Sequence, residues 1–348
     1  MAASPARPSP LGGGIGLGLV SAAAFGTSGA FAKALLEAGW TPGAAVTTRI
    51  AIAAALLAVP TAVAMRGRWH LLRRHGPLVL LYGLLAVAGC QLFYFTAVQT
   101  LSVGVALLLE YLGLVLVVGW VWLVQGQRPT RWTLAGVVLA VVGLVLVLDV
   151  TGDMEVDAAG VGWGLAAAVG LAAFFVISAR DTGELPPIAV VAGGMIVGAA
   201  TLGLAGLVGI MEVETSRADV ELGGASLPWW VPVLGLGVIA GALSYASGIA
   251  AARRLGARLA AFLGLTEVLF AILVAWLLLD ELPLAVQLLG GALIVAGVAV
   301  VRLEELRRQE PLAEPAVGPE PLPPDAGATD GAATPEASGA GGPALADG

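Results

Sequence analysis

Residues 256–301 read GARLAAFLGLTEVLFAILVAWLLLDELPLAVQLLGGALIVAGVAVV. Two long apolar runs flank the acidic break Asp280-Glu281-Leu282-Pro283, and one carboxylate, Glu267, stands where only hydrocarbon is expected. A weaker copy lies upstream at 104–147, GVALLLEYLGLVLVVGWVWLVQGQRPTRWTLAGVVLAVVGLVLV. A shift of about 154 positions superposes Trp122 on Trp276, Pro129 on Pro283, Gly136 on Gly290 and Gly143 on Gly297. A chain that repeats a hairpin with a buried acid once in each half is built like a carrier.

Composition agrees. Of 348 residues, 58% are hydrophobic and 12% charged, with a mean hydropathy of +0.94. Soluble domains are about 25% charged, so this chain has too little polar surface to face water. Its apolar segments are long runs and not short strands of alternating polarity, which makes it an all-α integral membrane protein and not a barrel. The net charge of −7 averages acids in two loops and a tail against arginines elsewhere, so it leaves no nucleic-acid footprint. The single cysteine, Cys90, sits in an apolar run and reads as a small packing residue. The N-terminal run follows one base, Arg7, without a convincing cleavage site, and reads as a first span.

Ten apolar runs are long enough to cross about 30 Å of hydrocarbon: near 12–36, 42–65, 76–98, 102–124, 131–149, 158–179, 187–211, 229–250, 257–279 and 284–303. Trp40, Trp69, Trp132, Trp229 and Trp230 fall at run ends, where interfacial aromatics are expected. Arg7, Arg66, Arg68, Arg73, Arg74, Arg128, Arg131, Arg180, Arg253, Arg254, Arg258, Arg302, Arg307 and Arg308 all fall on one side of a ten-span arrangement, and Arg217 alone on the other. The positive-inside rule then puts both termini in the cytoplasm. Five spans per half enter the membrane in opposite senses, so the expected architecture is ten helices as two inverted five-helix repeats. The expected division is a short cytoplasmic N-terminal segment (1–11), a first repeat (12–149), an external linker (150–157), a second repeat (158–303) and a disordered cytoplasmic tail (304–348) rich in Pro, Ala, Gly and acids.

Four ionisable groups fall inside the spans: Lys33, Arg49, Glu110 and Glu267. Each costs about 2.5–3.5 kcal/mol or more at a bilayer centre unless it is paired or faces water. Lys33 lies nearest a span end, where it either snorkels to the interface or lines a cavity mouth. Arg49 and Glu110 lie at matching depth, roughly 10–12 Å from the external face at 1.5 Å per residue. They form an ion pair or two poles of one polar pocket, and the plainer alternative is a buried pair that fixes packing. Glu267 falls near the midplane with no base at its depth, so its carboxyl is expected to be neutral for part of a cycle; the alternative is a permanently protonated group bonded to a backbone carbonyl or a nearby hydroxyl. In the repeat frame Glu110 matches Gly264, one turn before Glu267, so both acids fall on the same repeat face.

Tyr111 adds a hydroxyl beside Glu110, and Thr27, Ser28, Gln91, Tyr94, Ser178, Ser244 and Tyr245 are further polar candidates for the same space. Each is, singly, as well explained by an interhelical hydrogen bond. Gly12 to Gly18, Gly136 with Gly143, and Gly290, Gly291 and Gly297 suit close helix contact within one chain. No GxxxxGK[ST], HExxH or DDxxD-like motif is present, and both histidines, His70 and His75, lie in the basic loop after span 2. An enzyme is therefore not expected, nor any cofactor or metal.

The runs ALLLEYLGLVLVVGWVWLV…RPTRWTLAGVVLAVVGLVLV and FLGLTEVLFAILVAWLLLDELPLAVQLLGGALIVAGVAVV resemble the two EamA-type repeats of the drug/metabolite transporter superfamily. The resemblance extends over nearly all of 12–303, including Lys33 and Arg49. It implies a bacterial inner membrane, a central cavity formed by spans 1–4 and 6–9, and peripheral spans 5 and 10, where relatives can form dimers. It further implies secondary transport of amino acids, other metabolites or drugs by proton coupling or exchange. The chain departs from the pattern at Gln125-Gly126-Gln127-Arg128, which replaces the acidic turn of the second half.

The expected function is a secondary carrier moving a small polar metabolite outward, with Glu110, Glu267, Arg49, Lys33, Tyr111, Gln91, Tyr94 and Tyr245 as its substrate or coupling residues. Expected partners are that solute, membrane lipids, protons and a second copy of the chain. Two alternatives stand beside it: a lipid or amphiphile translocator of the same fold, and a non-transporting membrane scaffold.

Overall fold

The structure, a computed structural model, describes residues 10–126, 128–147, 157–178, 180 and 185–309. Expectations for residues 1–9, most of the 150–157 linker and the tail beyond 309 lie outside the described residues. The described chain is helical apart from one hairpin. In order it forms α1 (Pro10–Glu37), α2 (Pro42–Ala64), α3 (His70–Leu81), a π-helical stretch (Tyr82–Gly89), α4 (Cys90–Val98), α5 (Val103–Tyr111), α6 (Gly113–Gln125), α7 (Arg131–Val147), α8 (Ala158–Ser178) and α9 (Pro187–Leu207). Then follow β1 (Val220–Leu222), β2 (Ala225–Leu227), α10 (Trp230–Leu234), a second π-helical stretch (Gly235–Leu243), α11 (Ser244–Gly264), α12 (Thr266–Leu279) and α13 (Ala285–Gln309).

Among the described residues, seven helical runs of 21 to 29 residues are long and apolar enough to cross a membrane, and Arg131–Val147, Thr266–Leu279 and Ala285–Val301 are shorter apolar helices. Leu56, Val59 and Val63 on α2, and Leu134, Val138, Val141 and Val145 on α7, are exposed. Such all-round apolar helices are stable only where hydrocarbon covers them. Local chemistry sets the helix starts. The Thr41 hydroxyl accepts from the Ala44 amide ahead of Pro42 at the first helical position, and the Ser102 hydroxyl accepts from Val105 N. Asp157 accepts from the amides of Ala159 and Gly160 at the start of α8.

The 154-residue repeat visible in the sequence recurs in the backbone. The two π-helical stretches correspond within one residue, and so do the breaks at Leu112 and Leu265 and the left-handed residues Gly126 (φ 69°) and Asp280 (φ 59°). α7 and α13 pack antiparallel, Gly136 against Gly297 and Val301, and Gly143 against Gly290 and Ile294. A Cβ on Gly143 would lie 2.8 Å from the Ile294 nitrogen, so the backbones meet at a distance only glycine permits. Each half also reaches into the other: α1 packs on α11 and α12, and α8 on α4, α5 and α6.

Several expectations need correction. The basic segment after α2 is not a loop throughout, because α3 begins at His70 and carries both histidines; buried Leu71 joins Met65, Leu185 and Ala189 in a small apolar cluster that holds it. The turn expected between runs 229–250 and 257–279 is made without a loop, because the backbone is helical from Ser244 to Gly264. The chain nevertheless reverses against α1: Gly14 meets Leu255 and Ser21 meets Gly248, whereas Gly18 meets Leu263 and Gly26 meets Phe270. The segment from 304, expected to be disordered, continues α13 to Gln309. Trp40 is not an interfacial anchor: it is buried, its indole donates to the Ser216 carbonyl and its ring leans on Trp229. The connection before Trp229 also holds an unforeseen hairpin, turned by Gly223 and Gly224, both at positive φ.

Candidate functional site

The breaks at Leu112 and Leu265 bring chemistry to the middle of the bundle. Glu110 and Tyr111 close α5 just before the first break, and Glu267 opens α12 just after the second. At Gly113 the chain meets α8 so closely that a Cβ would lie 2.9 Å from the Leu171 side chain. The π-helical stretches lie in the same region, and such wide turns are frequent at functional sites. Cys90, Gln91 and Tyr94 follow the first stretch, and Ser244 and Tyr245 follow the second.

These elements enclose a cavity of about 530 Å³. Seven of the eight predicted site residues line it: Arg49, Gln91, Tyr94, Glu110, Tyr111, Tyr245 and Glu267. Ser28, Ser178 and Ser244 line it as well, whereas Thr27 turns its hydroxyl to the Ala24 carbonyl. The wall extends to Ser178 and Arg180 beyond the end of α8. The Phe25, Phe174 and Phe175 rings, Tyr82 and Cys90 complete it; sequence reading missed them because an aromatic or thiol in an apolar run looks like packing.

Arg49 is buried at 4% exposure. Its Nη1 donates to Ser28 Oγ at 2.7 Å and its Nη2 to the Ala240 carbonyl at 3.1 Å, within the second π-helical stretch. Its guanidinium lies over Phe95 and Phe25, 5.6 and 6.0 Å from the ring centroids. Glu110 accepts instead from the Cys90 thiol, 3.3 Å from its Oε1. Arg49 and Glu110 are therefore not a direct ion pair but two poles of one cavity, the second of the two arrangements their depth allowed. The Tyr111 hydroxyl lies 3.2 Å from Glu267 Oε2 and 3.2 Å from the Gly264 carbonyl. The buried part of the wall thus presents one guanidinium, Arg49, and two carboxyl groups, with aromatic rings among them and the exposed Arg180 at the far end.

Lys33 does not line this cavity. It forms an ion pair with Glu281 and donates to the Leu101 carbonyl at 3.4 Å, while Glu281 Oε2 accepts from the Val103 amide at 3.0 Å. The two side chains are 19% and 18% exposed. The cluster ties α1, the α4–α5 connection and the turn after α12 at the end of the bundle opposite Arg180. A second cavity, of about 370 Å³, lies there between Asp157, Thr100, Glu281 and Gln287. Glu281 as the partner of Lys33 was not foreseen, because 248 positions separate them. No group of three or more metal-binding side chains occurs among the described residues.

A sequence profile of the EamA-like transporter family matches residues 12–149 and again 158–303. The threonine/homoserine exporter RhtA of Salmonella typhimurium, in strains SL1344 and LT2, is 27% identical over 282 residues, covering 80% of this chain and 87% of the relative. A crystal structure of a protein 22% identical to this one shares the fold with a TM-score of 0.55, over 85% of this chain and 98% of the other.

Proposed function

This chain belongs to the EamA-like transporter family, so it is a membrane transporter and not an enzyme, and from that membership we propose that it exports a small polar metabolite, amino acid-like in its charges, across the inner membrane by alternating access. Three observations support the mechanism. The first is that, among the described residues, three shorter apolar helices stand beside the seven long enough to cross a membrane. The second is the antiparallel contact of α7 with α13, whose glycine pairs exchange under the 154-residue shift, as two inverted five-helix repeats require. The third is a cavity that reaches Arg180 at one end, with the Lys33–Glu281 pair and Val103 clustered at the opposite end of the bundle. With the termini in the cytoplasm, this is an inward-open carrier whose external end is latched.

The observation that carries the substrate reading is the charge of the wall. In the buried part of the cavity two carboxyl groups face one guanidinium, Arg49, while Arg180 stands exposed where the cavity ends, so the buried part has room for one further positive charge, supplied by a substrate ammonium or by a proton. Arg49 offers the complementary pole for a carboxylate. Exchange of substrate for proton at Glu110 and Glu267 follows from that balance. The amino-acid cargo of RhtA fits the same two poles. α7 and α13 are left at the periphery, where a homodimer would form.

The decisive experiment compares efflux across a panel of metabolites in cells with and without the protein, with and without an uncoupler. Glu110→Gln and Glu267→Gln are expected to abolish flux while the protein still inserts. Undiminished flux in both variants refutes the coupling reading, and labelling of cysteines placed at 128 and 281 from the same face of the membrane refutes the inverted architecture.

A further inference from the structure

We propose that Gln91 selects the substrate by a neutral hydrogen bond, so that the transported molecule carries a hydroxyl or carboxamide besides its charged groups. The inference rests on the transport reading above and adds to it a chemical class of side chain. Gln91 stands on α4, next to Cys90 and three residues before Tyr94, on the cavity wall. It is 9% exposed. Among the described residues its Oε1 has no hydrogen-bond partner and is closed off from solvent.

Several of the other polar groups around it are engaged. Arg49 is held by Ser28 and Ala240, Glu110 by Cys90, Glu267 by Tyr111, and Ser244 by the carbonyls of Ala240 and Gly241. Two other buried oxygens lack partners, the Thr47 and Thr61 hydroxyls, and both lie on α2 away from the cavity wall. Buried amides without partners are rare in folded chains, because the desolvated group is costly. A rare one on the wall of a binding cavity is explained if its partner arrives with the substrate.

The last torsion of a glutamine is broad and roughly two-fold. Gln91 can therefore turn either its carbonyl or its amine edge toward the cavity, and a hydroxyl, donor and acceptor at once, satisfies both. A methyl group in the same place leaves the amide unpaired and dry. Sites built to bond a substrate hydroxyl reject the analogue that lacks it far more strongly than apolar pockets reject a missing methylene. The charged poles, in contrast, treat all α-amino acids alike. Of the described groups on this wall, Gln91 is the one with a buried atom that lacks a partner, and we assign discrimination to it.

The test uses threonine and valine, which differ by a hydroxyl in place of a methyl, with the full chain reconstituted in proteoliposomes. The wild-type chain is expected to move threonine at least about tenfold more efficiently than valine, and threonine to raise its thermal midpoint more than valine does. Gln91→Met, which keeps length and removes the amide, is expected to bring the two rates within about threefold without lowering the midpoint, since it removes an unpaired buried group. A preference unchanged in Gln91→Met overturns the proposal, as does equal protection of the wild-type chain by the two amino acids, a measurement that does not depend on the variant folding. Transport of both amino acids without discrimination overturns the role of Gln91 and leaves the transport reading standing. Transport of neither overturns both.

Discussion

Replacing Glu281 by Gln removes the charge of the latch and little else, because the new amide oxygen can still accept from Val103 N as the carboxylate does at 3.0 Å. The pair with Lys33 is neither exposed nor fully buried, at 19% and 18% exposure. Exposed ion pairs contribute about 0–1 kcal/mol, and removing one partner of a buried pair costs about 3–5 kcal/mol. A value near 2 kcal/mol is appropriate here, and at 1.4 kcal/mol per decade it shifts the balance between externally closed and externally open forms about 30-fold. The native chain provides the reporter. Cys90 is its single cysteine, is 5% exposed and lines the central cavity. A membrane-impermeant maleimide added outside intact cells reaches it only when the external end opens. Glu281→Gln and Lys33→Gln should each accelerate this labelling by up to about 30-fold, and the exchanged pair Lys33→Glu with Glu281→Lys should slow it again. Labelling within twofold of wild type in both single variants, in properly inserted protein, refutes the latch.

Arg49→Met leaves the Ser28 hydroxyl without its donor and removes one of two donors to the Ala240 carbonyl, which keeps the Ser244 hydroxyl; it should lower stability by about 1–3 kcal/mol and abolish substrate protection in a thermal-shift assay, whereas Arg49→Lys should recover part of the stability. Gly143→Leu drives a side chain into the α13 backbone; a loss of about 1–3 kcal/mol or more, read as a lower thermal midpoint in detergent, is expected, while the same change at Gly162, which has open space around it, should be nearly silent. Asp157 is held below the ordinary carboxylate range by the Thr100 hydroxyl and the amides of Gly160 and Ala159. Because its folded value is depressed, the capping contribution is complete above the unfolded value near 3.9 and fades as pH falls toward the folded one. Amide exchange at Ala159 and Gly160, corrected for intrinsic rates, should therefore quicken only on strong acidification, and Asp157→Ala should remove that dependence.

The helical class was legible because long apolar runs leave few other possibilities, and the repeat was legible because Trp, Pro and Gly mark the same turns twice. The depth arithmetic for Arg49 and Glu110 also describes where they lie, at one cavity, since both ride on helices of regular rise. What they bond to was not legible. Arg49 is held by a carbonyl of the second π-helical stretch, and no residue pattern in GLGVIAGAL announces that stretch. The partnership of Lys33 with Glu281 joins opposite halves of the chain, and a hydropathy profile has no information about such pairs. The hairpin at 220–227 was signalled by Gly223-Gly224, but its strands are three residues each, too short to stand out beside runs of twenty.

The four glycines joining α7 and α13 have a mechanical consequence. An axis that carries Gly136 to Gly290 and Gly143 to Gly297 carries their contacts into one another, so this junction looks the same whichever way the molecule faces. In the proposed alternating-access cycle it can be bound tightly without biasing the chain toward either compartment, in the manner of a bearing, which must not favour one direction of turning. The free energy that sets direction has to come from parts that break this equivalence: an acidic turn with a lysine to hold it at one end, and at the other Gln125-Gly126, which has no acid to offer.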